Sequence, residues 1–154
     1  ILENSNDINA IKLNLSFIDL GNWKEIWKFF KQKNTQKFIK KNTFLRPWGK
    51  YINLFNGKGF LLKEIIINPK SAISLQKHFH RSERWFINEG KPKITINKKI
   101  FFKKVNDTIL IPKGAIHRIE NIYNKPLQII EVQMGSVLKE SDIVRYKDIY
   151  GRVK

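Results

Sequence analysis

"LQKHFHRSERWFINEG", residues 75–90, sets two histidines, a glutamine and a glutamate between runs of strand-forming residues. Along an extended strand, side chains of equal parity share a face. Gln76 and His78 therefore point the same way, and His80 continues their row while the strand stays regular. Glu83 follows five positions after His78.

The surrounding sequence has the rhythm of an all-β domain. From Tyr51 onward, β-rich runs such as "YINLF", "FLLKEIIINP", "AISLQKH", "RWFINEG", "KITI", "IFFKK", "TILIP", "HRIENI" and "LQIIEVQ" are separated by turn signals such as "NGKG" and "NKK". Nothing between them is long enough for a βαβ crossover, which predicts an antiparallel sandwich or barrel. Farther on, "IPKGAIHRIEN" (111–121) puts a proline and a glycine in a tight turn before a strand starting at His117. A jelly roll brings such distant strands together with their inward faces on one cavity. Three or four nitrogen and oxygen ligands from different strands are what a divalent ion with an open position requires.

Ahead of the strands, "GNWKEIWKFFKQKN" spaces Trp23, Ile26, Trp27 and Phe30 as one apolar stripe of a short amphipathic helix. Residues 35–45 are polar and basic and read as a linker. The expected organisation is an N-terminal helical segment with linker over 1–45 and an all-β domain over 46–154.

Composition narrows the classes. The 154 residues include 11 Phe, 4 Tyr and 4 Trp at 42% hydrophobic content, enough for one packed core, and no apolar run approaches the roughly 20 residues of a membrane span. The absence of cysteine excludes disulfides and thiolate metal sites. Residues 1–9 lack a secretory pattern, so the expected location is cytoplasmic. The start at Ile1 rather than at methionine suggests a trimmed chain or the tail of a longer polypeptide. The net charge of +17 is spread along the chain, and its densest run, "KFIKKNTF", contains no nucleic-acid module. A solvated basic surface is expected first, steering of small anionic substrates second, and nucleic acid and membrane are not expected as partners.

The spacing Gln76-x-His78-x4-Glu83-x6-Gly90, followed by Pro112-x-Gly114-x2-His117-x3-Asn121, resembles the two cupin motifs, with Gln76 at the usual first histidine and Lys70 and Asn106 where glycines usually precede each motif. Together with "RPWGKY" (46–51), "SLQKHFHRSERW" (74–85) and "IIEVQMGSVLKESDIVRYKDIYGR" (129–152), the chain is similar to the C-terminal isomerase domain of bifunctional mannose-1-phosphate guanylyltransferase/mannose-6-phosphate isomerases. "SFIDLGNWKEIWKFF" looks like the end of the preceding guanylyltransferase domain, while the nucleotide-binding portion is absent from the sequence. The resemblance implies a cupin double-stranded β-helix, a jelly-roll barrel with a short N-terminal helical segment. It implies a divalent metal held by Gln76, His78, Glu83 and His117, with zinc expected first and manganese or cobalt also fitting. The implied reaction interconverts mannose 6-phosphate and fructose 6-phosphate through an enediol, with a phosphorylated hexose as partner and a homodimer as the expected assembly.

Within that reading His80, left over from the ligand motif, is the first candidate for the catalytic base, and Lys63 the second. Lys63 shares parity with Ile65 and Ile67; if inward, it must meet an anion or shift its pKa. Arg145 would neutralise the enediolate or the phosphate with its fork of donors. Trp48 and Trp85 are expected as core aromatics, and Arg81 and Arg118 as surface charges or ion-pair partners of Glu120. Arg84 stands where the family commonly has histidine; in a regular strand it points away from Gln76, His78 and Glu83, but a catalytic histidine there would put activity in question. The competing functions are a non-catalytic sugar- or sugar-phosphate-binding cupin and a metal-dependent oxygenase, the latter disfavoured by Gln76.

Overall fold

A computed structural model describes residues 35–152. The expected helix around Trp23–Phe30 lies outside these residues. The expected linker is instead helix α1 (Thr35–Asn42) followed at once by strand β1 (Thr43–Arg46). Helix α1 ends where Asn42 Nδ2 and Thr43 Oγ1 donate to the carbonyls of Phe38 and Ile39, taking up acceptors that the last turn leaves open. Strand β1 forms because Phe44 has an aromatic partner that local composition does not reveal: its ring stacks on Tyr51, centroids 4.9 Å apart.

The remaining strands are β2 (Gly49–Gly57), β3 (Phe60–Ile67), β4 (Ser71–Ala72), β5 (Leu75–His78), β6 (Arg81–Glu89), β7 (Lys93–Ile96), β8 (Lys99–Phe102), β9 (Thr108–Ile111), β10 (His117–Asn121), β11 (Leu127–Gly135) and β12 (Ile143–Lys147). They form two antiparallel sheets, one ordered β1-β2-β3-β11-β6-β9 and the other β12-β5-β10-β7-β8, with β4 also on β10. This is the expected all-β jelly roll. The alternation of β6 shows how the core is selected: Arg81, Glu83, Trp85 and Ile87 are buried, while Arg84 faces solvent. Ile65, Ile67, Trp85, Ile94, Ile119 and Ile129, from five strands, meet in one apolar cluster with Trp48, so both tryptophans are core residues.

Lys70 and Asn106 have φ of 55° and 72°, the left-handed region that glycine usually supplies. Lys70 is held there by donating from Nζ to the Ile122 carbonyl, and asparagine tolerates the conformation better than most residues. Gly135 is required for a different reason. A Cβ there would lie 2.1 Å from the His80 carbonyl oxygen, so only glycine lets the end of β11 approach the start of β6.

Candidate metal centre

Both sheets project polar side chains into the space between them. In one, register aligns Arg145 of β12, Gln76 of β5 and His117 of β10. In the other, Lys63 of β3 pairs with Glu131 of β11, which faces Trp85 of β6, and Gln133 faces Glu83. On β6 and β10 burial alternates strictly, which turns Glu83 and His117 into the same interior.

His78, Glu83 and His117 converge, with one ligand atom from each lying within 4.8 Å of the others. His78 Nε2 is 3.0 Å from Glu83 Oε1, and His117 Nε2 is 3.6 Å from Glu83 Oε2. Each ring is oriented from behind. His117 Nδ1 meets the Ala115 carbonyl at 2.9 Å and His78 Nδ1 meets the Asp142 carbonyl at 3.2 Å; a carbonyl only accepts, so both Nδ1 atoms carry protons. The Nε2 lone pairs are therefore turned toward Glu83. His117 Nε2 is buried with no hydrogen-bond partner, an expensive state that a cation would relieve. Burial pushes the His117 pKa down, against the pull of Glu83, keeping the imidazole neutral. Burial also opposes ionisation of Glu83, but the adjacent His78 and His117 rings and the Arg81 guanidinium hold its carboxyl well below the usual range. Two imidazole nitrogens and a carboxylate fit a divalent cation such as zinc or manganese.

Gln76 is half-buried and lines a cavity together with Glu83 and Arg81, its Oε1 accepting from Ser74 Oγ at 2.7 Å. The cavity has a volume of about 60 Å³ and is also lined by Tyr51, Lys63, Glu131, Glu140 and Arg145. Lys63 points inward as parity required, and its Nζ meets the anion it needs, Glu131 Oε2, at 3.9 Å.

Two expectations are corrected. His80 does not extend the ligand row, because β5 ends at His78 and the chain turns at 79–80. Its ring is half-exposed, with Nδ1 2.7 Å from Asp142 Oδ1. Arg81 is no surface charge: it is 3% exposed, and its Nε donates to Glu83 Oε1 at 3.1 Å while Nη2 reaches His78 Nε2 at 3.3 Å. Glu120 pairs with Lys93 rather than with either arginine, and Arg118 donates to the Lys147 carbonyl.

Sequence reasoning missed Glu131, Gln133 and Asp142. Trp85 Nε1 donates to Glu83 Oε2 and to Glu131 Oε1, and Gln133 Nε2 bridges the same two carboxylates. Burial, reinforced by the neighbouring Glu83, pushes the Glu131 pKa up to about 8 despite Lys63. The available signal was parity: Glu131 and Gln133 continue the inward row of Leu127 and Ile129. Asp142 had no such signal. It lies on a 3-10 turn (Glu140–Asp142) and accepts the backbone N–H groups of Phe79 and His80, fixing the turn that presents Arg81.

Fold and site together define a cupin carrying a two-histidine, one-carboxylate centre between its sheets. Solved structures share the fold: a *Lactobacillus farciminis* oxalate decarboxylase formate complex (TM-score 0.60, 19% identity, 67% of this chain and 32% of that one) and the *Schizosaccharomyces pombe* Cnp3 cupin domain (TM-score 0.53, 20% identity, 60% and 64%). The model of the family described as mannose-6-phosphate isomerase C-terminal matches residues 32–148, and the chain belongs to that family. Curated relatives include mannose-1-phosphate guanylyltransferase ManC of *Salmonella typhimurium* (44% identical over 70% of this chain and 22% of the relative) and alginate biosynthesis protein AlgA of *Pseudomonas putida* (42%, over 70% and 22%). The match thus spans about a fifth of those proteins' length.

Proposed function

We propose that this chain is a metal-dependent aldose-ketose isomerase acting on mannose 6-phosphate and fructose 6-phosphate. The observation that carries the reading is the convergence of His78, Glu83 and His117, with Glu83 also lining a cavity that Lys63 and Arg145 share, in a member of the isomerase family. His78, Glu83 and His117 would hold the cation, with Gln76 beside them. A bound divalent ion supplies Lewis-acid polarisation of the sugar oxygens. With His80 outside the cavity, the proton moving between C1 and C2 falls to Lys63 and Glu131, a nitrogen and a carboxyl oxygen 3.9 Å apart on the cavity wall. Arg145, whose Nε is buried without a hydrogen-bond partner, is free to meet an anionic oxygen.

A second reading, a sugar-phosphate-binding cupin without turnover, is favoured by Arg81, whose guanidinium already gives Glu83 and His78 a positive neighbour. A coupled assay with fructose 6-phosphate, run beside metal analysis, separates the two. Metal-dependent turnover supports the isomerase; binding with no turnover at any metal loading removes it.

A further inference from the structure

The cavity's carboxylates differ sharply in exposure. Glu83 and Glu131 are buried, whereas the Glu140 side chain is 45% exposed. Glu140 nevertheless has strong partners: Arg46 Nη2 donates to its Oε1 at 2.6 Å and the Tyr51 hydroxyl donates to the same oxygen at 2.8 Å. Burial opposes its ionisation, but these two bonds and the charges of Arg46 and Lys63 hold its pKa below the usual range. Arg152 also feels its charge while remaining tied to Asp148. Glu140 thus sits where cationic groups from several strands and loops converge, in a narrow cavity of about 60 Å³. A hexose phosphate requires one of the lining groups to move, and Glu140 is the least buried of the lining carboxylates.

We propose that Glu140 holds the seat of the substrate's phosphate, and that a phosphomonoester binds by displacing this carboxylate and taking over Arg46 and Tyr51, with Arg145 and Arg152 alongside. This deepens the sugar-phosphate reading of the cavity and rests on it. A phosphate dianion offers three acceptor oxygens and up to twice the charge of the carboxylate, so it can win the exchange. A neutral sugar cannot replace the Arg46–Glu140 pair, and the internal carboxylate thereby selects for phosphorylated ligands.

Calorimetric titration of the full chain with inorganic phosphate tests the exchange, comparing wild type, Glu140→Gln and Glu140→Gln/Arg46→Gln. Glu140→Gln is expected to bind phosphate about tenfold more tightly, and the added Arg46→Gln to abolish that gain. Equal or weaker binding by Glu140→Gln overturns the proposal, as does a gain that survives loss of Arg46, since the phosphate would then sit elsewhere, for instance on a metal. If Glu140→Gln does not fold, Glu140→Asp, which retracts the carboxylate by one methylene, must show tighter binding for the proposal to stand. Wild type that fails to turn over fructose 6-phosphate yet shows this pattern removes the isomerase while leaving the phosphate seat in place.

Discussion

Replacing Arg81 with methionine keeps most of the buried stem and removes the charge beside Glu83. In the native protein the guanidinium lies 3.1 Å from Glu83 Oε1 and 3.6 Å from Asp142 Oδ2, and donates to the Lys139 carbonyl at 3.0 Å, with only 3% of the residue exposed. Deleting one partner of a buried ion pair costs roughly 3–5 kcal/mol, because the other charge stays desolvated. Trp85 and Gln133 still donate to Glu83, which favours the lower end, about 3 kcal/mol. At roughly 3–5 °C per kcal/mol for a domain of this size, Arg81→Met should melt about 10–15 °C below wild type without metal. A divalent cation at about 100 times its dissociation constant contributes roughly 2.7 kcal/mol. It should therefore recover much of the loss and raise the variant's Tm more than wild type's, where Arg81 competes for Glu83 Oε1 and His78 Nε2. A metal-free drop below about 3 °C, or a drop that cation leaves unchanged, would refute the placement of Arg81 as the standing countercharge of the centre.

His117→Ala removes the nitrogen that faces Glu83 without a partner; metal affinity should fall by more than the roughly 10–100-fold typical of losing an outer-shell group, read by competition with a chromogenic chelator. Glu131 titrates near 8 in the folded chain, so the folded state binds the extra proton between the ordinary carboxylate range and that value; metal-free stability should fall as pH rises through this window and level off above it, and Glu131→Gln should remove that slope in urea melts at several pH values. Asn121→Ala deletes an amide that donates to the carbonyls of Ile67, Asn68 and Lys125 and accepts from the Tyr123 N–H; a loss of about 2–4 kcal/mol is expected, seen as a lower urea midpoint at unchanged slope.

Strand periodicity is a local property, and it was legible. The runs from "YINLF" to "LQIIEVQ" became β2 through β11, Lys63 pointed inward, and Arg84 pointed out, each by parity alone. The motif spacing likewise picked His78, Glu83 and His117 before any coordinate placed them together. Strand β1 escaped because its support is cross-strand: Phe44 stacks on Tyr51 across the register, a contact that composition over 35–45 does not encode.

His80 and Arg81 mark the limit of such reasoning. Alternation holds only while the backbone stays extended, and the turn at 79–80 resets it, sending His80 outward and Arg81 into the centre. That turn is held by Asp142, 62 residues away from His80 in the chain, through bonds to two backbone amides and a ring nitrogen. The sequence by itself therefore determined the strands from β2 to β11 and which face each residue takes within a regular strand. Only the tertiary structure decided where regularity breaks and which carboxylates and cations share the cavity, because those outcomes depend on partners brought together by folding rather than on neighbours along the chain.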